Sequence, residues 1–201
     1  MHRAEFLHFI TGFGDQAVVL PFVAVVAIAL AAMGARREAL YWCVAIFVAL
    51  FGALIAKIVF LPCGHLIPEL DLRSPSGHTA AAVAAYGGFA MLWVKFSKDR
   101  RTRAMFISAA IIGCVGIAAS RVLIHVHTMP EVLLGGFIGL SAPTFLARMQ
   151  PPESEATPRP TLLLLLVPLV LVLALRGATL PVEGLIDHLS LQLMAWFGVC
   201  G

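Results

Sequence analysis

The sequence predicts an all-α, polytopic membrane protein with six transmembrane helices, and three observations lead to that fold. Charged residues make up only 12% of the chain and hydrophobic residues 60%, whereas a soluble domain carries about 25% charged residues because its surface must face water. Six apolar segments recur along the 201 residues: Gln16–Gly34, Ala39–Phe60, Thr79–Val94, Ala104–Ala119, Val132–Ala147 and Thr161–Leu175. The basic residues between them fall in alternate loops. Lipid offers no partner to free backbone polar groups, so segments of this kind cross it as helices.

A crossing takes about 20 helical residues, and the first two segments qualify outright. The first is not a cleaved signal peptide on this reading, because Arg36 and Arg37 follow it while Glu5 and Asp15 dilute Arg3 before it. The next three segments are short as bounded, and reach span length only by continuing into their polar flanks. The sixth is short as well; Arg176 can snorkel, which would let that helix run to Leu180. Residues 1–147 form the core, and residues 148–160, rich in proline, read as a cytoplasmic linker. Residues 161–201 add the sixth span and an amphipathic tail carrying Leu185, Ile186, Leu189, Leu193, Trp196 and Phe197, suited to lying on the membrane surface.

Orientation follows from charge. Arg36, Arg37, Lys95, Lys98, Arg100, Arg101, Arg103, Arg148 and Arg159 are nine of the fourteen Lys and Arg residues, and all lie in three alternate loops. The positive-inside rule places these in the cytoplasm. The amino terminus, residues 61–74 and residues 121–130 then face outward, in a multi-pass protein of the plasma or inner membrane. A net charge of +3 without a basic run interleaved with aromatics excludes a nucleic-acid partner. The four cysteines show no CxxC spacing for a metal or redox site. A Cys63–Cys200 disulfide is geometrically conceivable, while Cys43 and Cys114 sit in apolar runs as small hydrophobes.

With the cytoplasmic charges set aside, Lys57, His65, Arg73, Ser76, His78, Arg121, His125, His127 and Glu131 remain at one face. Four of the seven histidines are among them. Ionisable groups near membrane depth are costly and by default mark a functional site. Pro75-Ser76-Gly77-His78 opens the third span. Ser76 is a favoured N-cap, and Gly77 would let an anion approach amides at the positive end of the helix. A plain cap with an interfacial histidine fits the same four residues. Ser120-Arg121 ends the fourth span and is followed by His125, His127, Thr128, Pro130 and Glu131. Arg121 offers a fork of donors to phosphate oxygens. Glu131 lies four residues beyond His127, within reach of its ring N–H, and Thr128-x-x-Glu131 is also a capping box. A zinc set of His65, His78, His125 and His127 would leave the Ser-Gly and Arg positions without a task, and no metal is assigned. His125, if helical, would point away from His127.

Pro-Ser-Gly-His followed by Ser-Arg-x5-His-x3-acid, each at a helix end, resembles the type 2 phosphatidic-acid phosphatase superfamily, which includes vanadium haloperoxidases and acid phosphatases. The second family motif matches in full at 75–78. The third matches at Ser120, Arg121 and His127, with Glu131 in the place of Asp. The first, Lys-x6-Arg-Pro, keeps Lys57 but has Gly64 and His65 where Arg and Pro belong. The resemblance covers roughly residues 10–147.

The resemblance implies that His127 attacks phosphorus and becomes a phosphohistidine, with Glu131 orienting it. His78 would protonate the leaving oxygen and then activate water. Lys57, Ser76, the Gly77 amide and Arg121 would hold the non-bridging oxygens, with no cofactor. Arg73 is the candidate to replace the missing arginine of the first motif, with His65 second; an interfacial charge beside Glu69 and Asp71 is the alternative for Arg73. The implied function is hydrolysis of a lipid phosphate or diphosphate at the extracytoplasmic face. A phosphotransferase using the same site, or a non-catalytic headgroup binder or transporter, are the alternatives.

Overall fold

The computed structural model describes residues 3–63, 72–149 and 162–197, and every regular element among them is helical. Helix α1 (Arg3–Gly12) leads through a short turn into α2 (Gln16–Ala32), with Asp15 as the N-cap of α2. A turn through Gly34, whose φ of 81° favours glycine, connects to the long α3 (Arg36–Cys63). Next come α4 (Gly77–Ala82), a π-helical turn at Val83–Gly87 and α5 (Gly88–Phe96), which run on as one helix. Then follow α6 (Arg100–Leu123), α7 (Met129–Gly139), α8 (Ser141–Arg148), α9 (Leu162–Leu175) and α10 (Val182–Phe197).

Among the described residues, five stretches are long and apolar enough to cross a membrane: Ala4–Ala32, Arg36–Leu61, Gly77–Phe96, Arg100–Leu123 and Met129–Arg148. This is a multi-pass membrane protein. The three segments that looked short in sequence do gain their length from the motif-bearing flanks, since the third span begins at Gly77 and the fifth at Met129. The sixth expected span is not confirmed. Helix α9 has 14 residues among those described, a rise of about 21 Å against a hydrocarbon core of about 30 Å. It stops at Leu175, and Gly177 takes a φ of 85°, so the helix does not run on to Leu180. Helix α2 of the first span begins at Gln16 as expected, with Asp15 as its cap, and α1 precedes it across the turn at Gly14–Asp15.

Packing is the reverse of a soluble domain. Ile28, Phe47, Ile112, Leu133 and Phe137 point outward, as lipid-facing side chains do. Small residues fill the interior around the third span: Ala80, Ala81, Ala82, Ala84 and Ala85 are all buried. The helix Gly77–Phe96 is the most enclosed of the five spans. Small residues let backbones come close, which is how helices pack without a hydrophobic driving force. Gly135 and Gly139 of α7 show how close. A Cβ on Gly135 would lie 2.4 Å from the Ser76 carbonyl oxygen, and one on Gly139 would lie 2.6 Å from that of Ala80. The start of α4 is therefore pressed onto α7 with no room for a methyl group.

Helix ends sort the charges. Arg36, Lys95, Arg100 and Arg148 lie at or near α3, α5, α6 and α8 termini that share one end of the bundle. There Lys95 Nζ donates to the Met149 carbonyl at 3.0 Å and lies 3.7 Å from Glu38. Lys57, His78, Arg121 and His127 lie near the opposite ends of the same spans. The tail is helical, as α10, and packs against α3. Its Leu185 and Leu189 are exposed while Ser190 is buried; the side chains of Leu193, Trp196 and Phe197 lie outside the described residues.

Candidate active site

Glu131 organises the site. Its Oε2 accepts from Nδ1 of His127 at 2.8 Å and from the Thr128 N–H at 3.1 Å. Its Oε1 accepts the N–H groups of Arg73 at 2.8 Å and Ser74 at 2.9 Å. Its carbonyl oxygen accepts the Ser76 N–H at 3.0 Å. One residue thus caps α7, fixes the His127 ring and fastens the strand entering α4. The capping box and the His127 contact, both expected from spacing, coexist. The tie to residues 73 and 74 lies 57 and 58 positions away in sequence and was not foreseen.

This geometry sets the tautomer of His127. An ionised carboxylate only accepts, so the nitrogen facing it carries the proton. Nδ1 is then the donor, and in the neutral ring Nε2 bears the lone pair. The chain reaches His127 through a turn after α6, where the Arg121 carbonyl accepts the N–H groups of Val126 and His127 at 3.2 and 3.3 Å. His125 takes a φ of 58°, in the left-handed region, and its side chain is exposed. The segment is therefore a turn and not a helix, which removes the helical premise used for His125.

Ser76 is fully buried and caps α4, accepting from the Thr79 N–H at 3.4 Å and from its hydroxyl at 3.0 Å. Gly77 follows at the first helical position, and His78 is buried one residue on. Lys57 is also buried, near the end of α3. It shares with Gln16, Gly77 and Ile186 the wall of a crevice of about 180 Å³. Arg121 is buried at the end of α6, with Nη1 3.4 Å from the Thr11 hydroxyl of α1. Five of the expected residues, Ser76, Gly77, His78, His127 and Glu131, are thereby joined through α4 and α7, with Lys57 beside Gly77. Arg73 contributes its backbone N–H, while its side chain is exposed. His65 and the Cys63–Cys200 pairing lie outside the described residues.

Two features went unread in the sequence. Asp15 is buried, with Oδ2 3.6 Å from Nε2 of His78; nothing near residue 78 in the chain signals it. Gly135 and Gly139 bring α7 onto Ser76 and Ala80, and their four-residue spacing was a signal available for the taking. Beside the polar site runs an apolar cleft of about 660 Å³ between α1, α6 and α9. Phe6, Phe89, Phe106 and Val172 line its length, and Ser120 and Leu123 line it next to Arg121. Among the described residues no group of three or more His, Cys, Asp or Glu could hold a metal ion.

Residues 60–155 match the PAP2 superfamily, a range that takes in every candidate from Arg73 to Glu131 and stops short of Lys57. The chain is 29% identical over 195 residues to a Klebsiella pneumoniae protein described as an uncharacterized 22.5 kDa protein in the cps region, covering 90% of this chain and 88% of that one. No solved structure matches.

Proposed function

This chain belongs to the PAP2 superfamily, and from that premise we propose that it hydrolyses the phosphate or diphosphate of a membrane lipid through a phosphohistidine on His127. The superfamily supports phosphoric ester hydrolysis in general; lipid, face and intermediate are this reading's own. The observation that carries it is the 2.8 Å contact of Glu131 with Nδ1 of His127, which leaves Nε2 as the nucleophile. A carboxylate so placed holds the tautomer and offsets the charge of the ring once it is phosphorylated.

In the first step Nε2 of His127 attacks phosphorus and the bond to the lipid oxygen breaks. His78 hands that oxygen a proton. In the second step His78 takes a proton from water, whose oxygen attacks the phosphorus on His127, and inorganic phosphate leaves. Imidazole suits both tasks because its ordinary titration lies near neutrality. Phosphoryl transfer is otherwise a matter of placement and fixed positive charge. Lys57, Arg121, the Ser76 hydroxyl and the Gly77 amide supply that charge and those donors. Arg121 directly follows Ser120, which lines the apolar cleft, and this supports a substrate with its hydrocarbon chain along α6 and its phosphate against the arginine. The basic residues at the far end of the bundle support an extracytoplasmic site by the positive-inside rule.

The test is phosphate release from a panel of purified lipid phosphates and diphosphates in detergent, with His127→Ala as control. Release by the native protein and none by the variant is expected. A phosphorylated lipid product in place of free phosphate would make the protein a phosphotransferase. Headgroup binding that survives His127→Ala, without turnover by the native protein, would make it a binder.

A further inference from the structure

The turn Phe13-Gly14-Asp15 lies outside both helix-end motifs and outside the range matched to the superfamily, yet it closes over His78. Three contacts hold it there. Tyr86, in the π-helical turn two helical turns beyond His78, donates its hydroxyl to the Phe13 carbonyl at 2.7 Å. Gly14 has no side chain to keep it off: a Cβ there would lie 3.1 Å from the His78 carbonyl oxygen, 3.2 Å from the His78 Cβ and 2.9 Å from Ile117 Cγ2. Asp15 then sets its carboxylate beside the ring.

The two oxygens of Asp15 divide the work. Oδ1 accepts the N–H groups of Ala17 at 2.8 Å, capping α2, and of Leu180 at 3.2 Å, just beyond α9. These bonds pin the carboxylate and leave Oδ2 facing Nε2 of His78 at 3.6 Å. That distance is within ion-pair range and beyond hydrogen-bond range. An imidazole that must carry a proton in a buried position needs a counter-charge, and Asp15 is the carboxylate the fold brings to it. Contacts of this length commonly tighten once substrate is bound.

We infer that Asp15 is a positioning residue for His78, and that the 13–15 turn is a further component of the site. The inference rests on the proposed proton exchange by His78. It also gives the last part of the chain a task, because the Leu180 N–H secures the same carboxylate.

The experiment is a double-mutant cycle between Asp15→Asn and His78→Ala in the full-length protein. Asn caps helices as well as Asp, so α2 keeps its cap and only the charge is lost. In the native background Asp15→Asn is expected to lower kcat for a lipid phosphate by about 10–100-fold, a part of the 10²–10⁴ that general acid–base catalysis supplies, with KM changed by less than about 3-fold. In the His78→Ala background the same substitution should cost less than about 2-fold, since the group it acts through is gone. Gly14→Ala, which pushes the turn off His78, should show the same dependence on His78. An unchanged kcat, or an equal loss in both backgrounds, overturns the inference. If the native protein releases no phosphate from any lipid, the functional reading fails by itself. The cycle is then read on binding of orthovanadate, where coupling between positions 15 and 78 upholds the inference and simple additivity overturns it.

Discussion

The two imidazoles of this site are held in opposite ways. His127 is clamped by a carboxylate four residues away, at 2.8 Å, on the helix its own loop leads into. His78 faces a carboxylate 63 residues away, at 3.6 Å, borne on a turn from a different part of the bundle. The first arrangement is local and rigid: Glu131 takes four N–H donors, and Gly135 presses α7 against Ser76. The second depends on α1, α2 and the segment after α9 all reaching the same place. A nucleophile must be aimed, which rewards rigidity, whereas an acid that returns as a base must let its proton go. The two carboxylate contacts differ in the way the two proposed tasks do.

Substitutions can break that comparison at either side. Removing the nucleophile has the largest expected effect: His127→Ala should lower turnover by at least about 10⁴-fold, as when the central group of a catalytic unit is lost. Glu131→Gln comes next, at about 10²–10⁴-fold, because an amide cannot accept from all four donors and no longer enforces the Nδ1–H tautomer. It should also lower the melting temperature, since a buried N–H left without its acceptor costs about 1–3 kcal/mol. Steady-state assays and thermal scans on the same preparations would read both effects. An active Glu131→Gln protein would mean that the clamp is only a cap.

Gly135→Ala tests the rigid side without touching a polar group. The added methyl must move Ser76 or α7, at about 1–3 kcal/mol for overpacking, and kcat should fall with the melting temperature. Full activity in a stable Gly135→Ala protein would show that the closeness of α4 and α7 is not needed. The smallest effect is expected from Arg73→Ala. The side chain is exposed and the N–H that Glu131 holds survives the change, so phosphate release should stay within a few fold of the native rate. A loss of about 10²-fold or more would instead identify Arg73 as the phosphate donor that the first motif lacks.

What could be read in advance divides along the same line as the two histidines. The His127–Glu131 pair, the Thr128 capping box and the Ser76 cap are all local patterns, and spacing along a helix was enough to foresee them. The extension of the third and fifth spans into their motifs was legible for the same reason, since a helix cap marks where a helix starts. Contacts between distant segments were not. Asp15 looked like an acidic residue before a first span, and only tertiary packing turns it toward His78. Glu131 looked complete with one histidine and one cap, and its hold on Arg73 and Ser74 depends on how α4 and α7 approach. Helix α9 is shorter than a snorkelling Arg176 would allow, because Gly177 turns the backbone before Leu180.

Trapping the covalent intermediate tests the central claim most directly. In His78→Ala the base that releases phosphate is absent, so an activated aryl phosphate, whose leaving group needs no proton, should load the protein and stop there. Mass spectrometry under alkaline conditions should then find one phosphoryl group per chain, on the ring of His127. Turnover without any such adduct, or a phosphoryl group on another residue, would contradict the account.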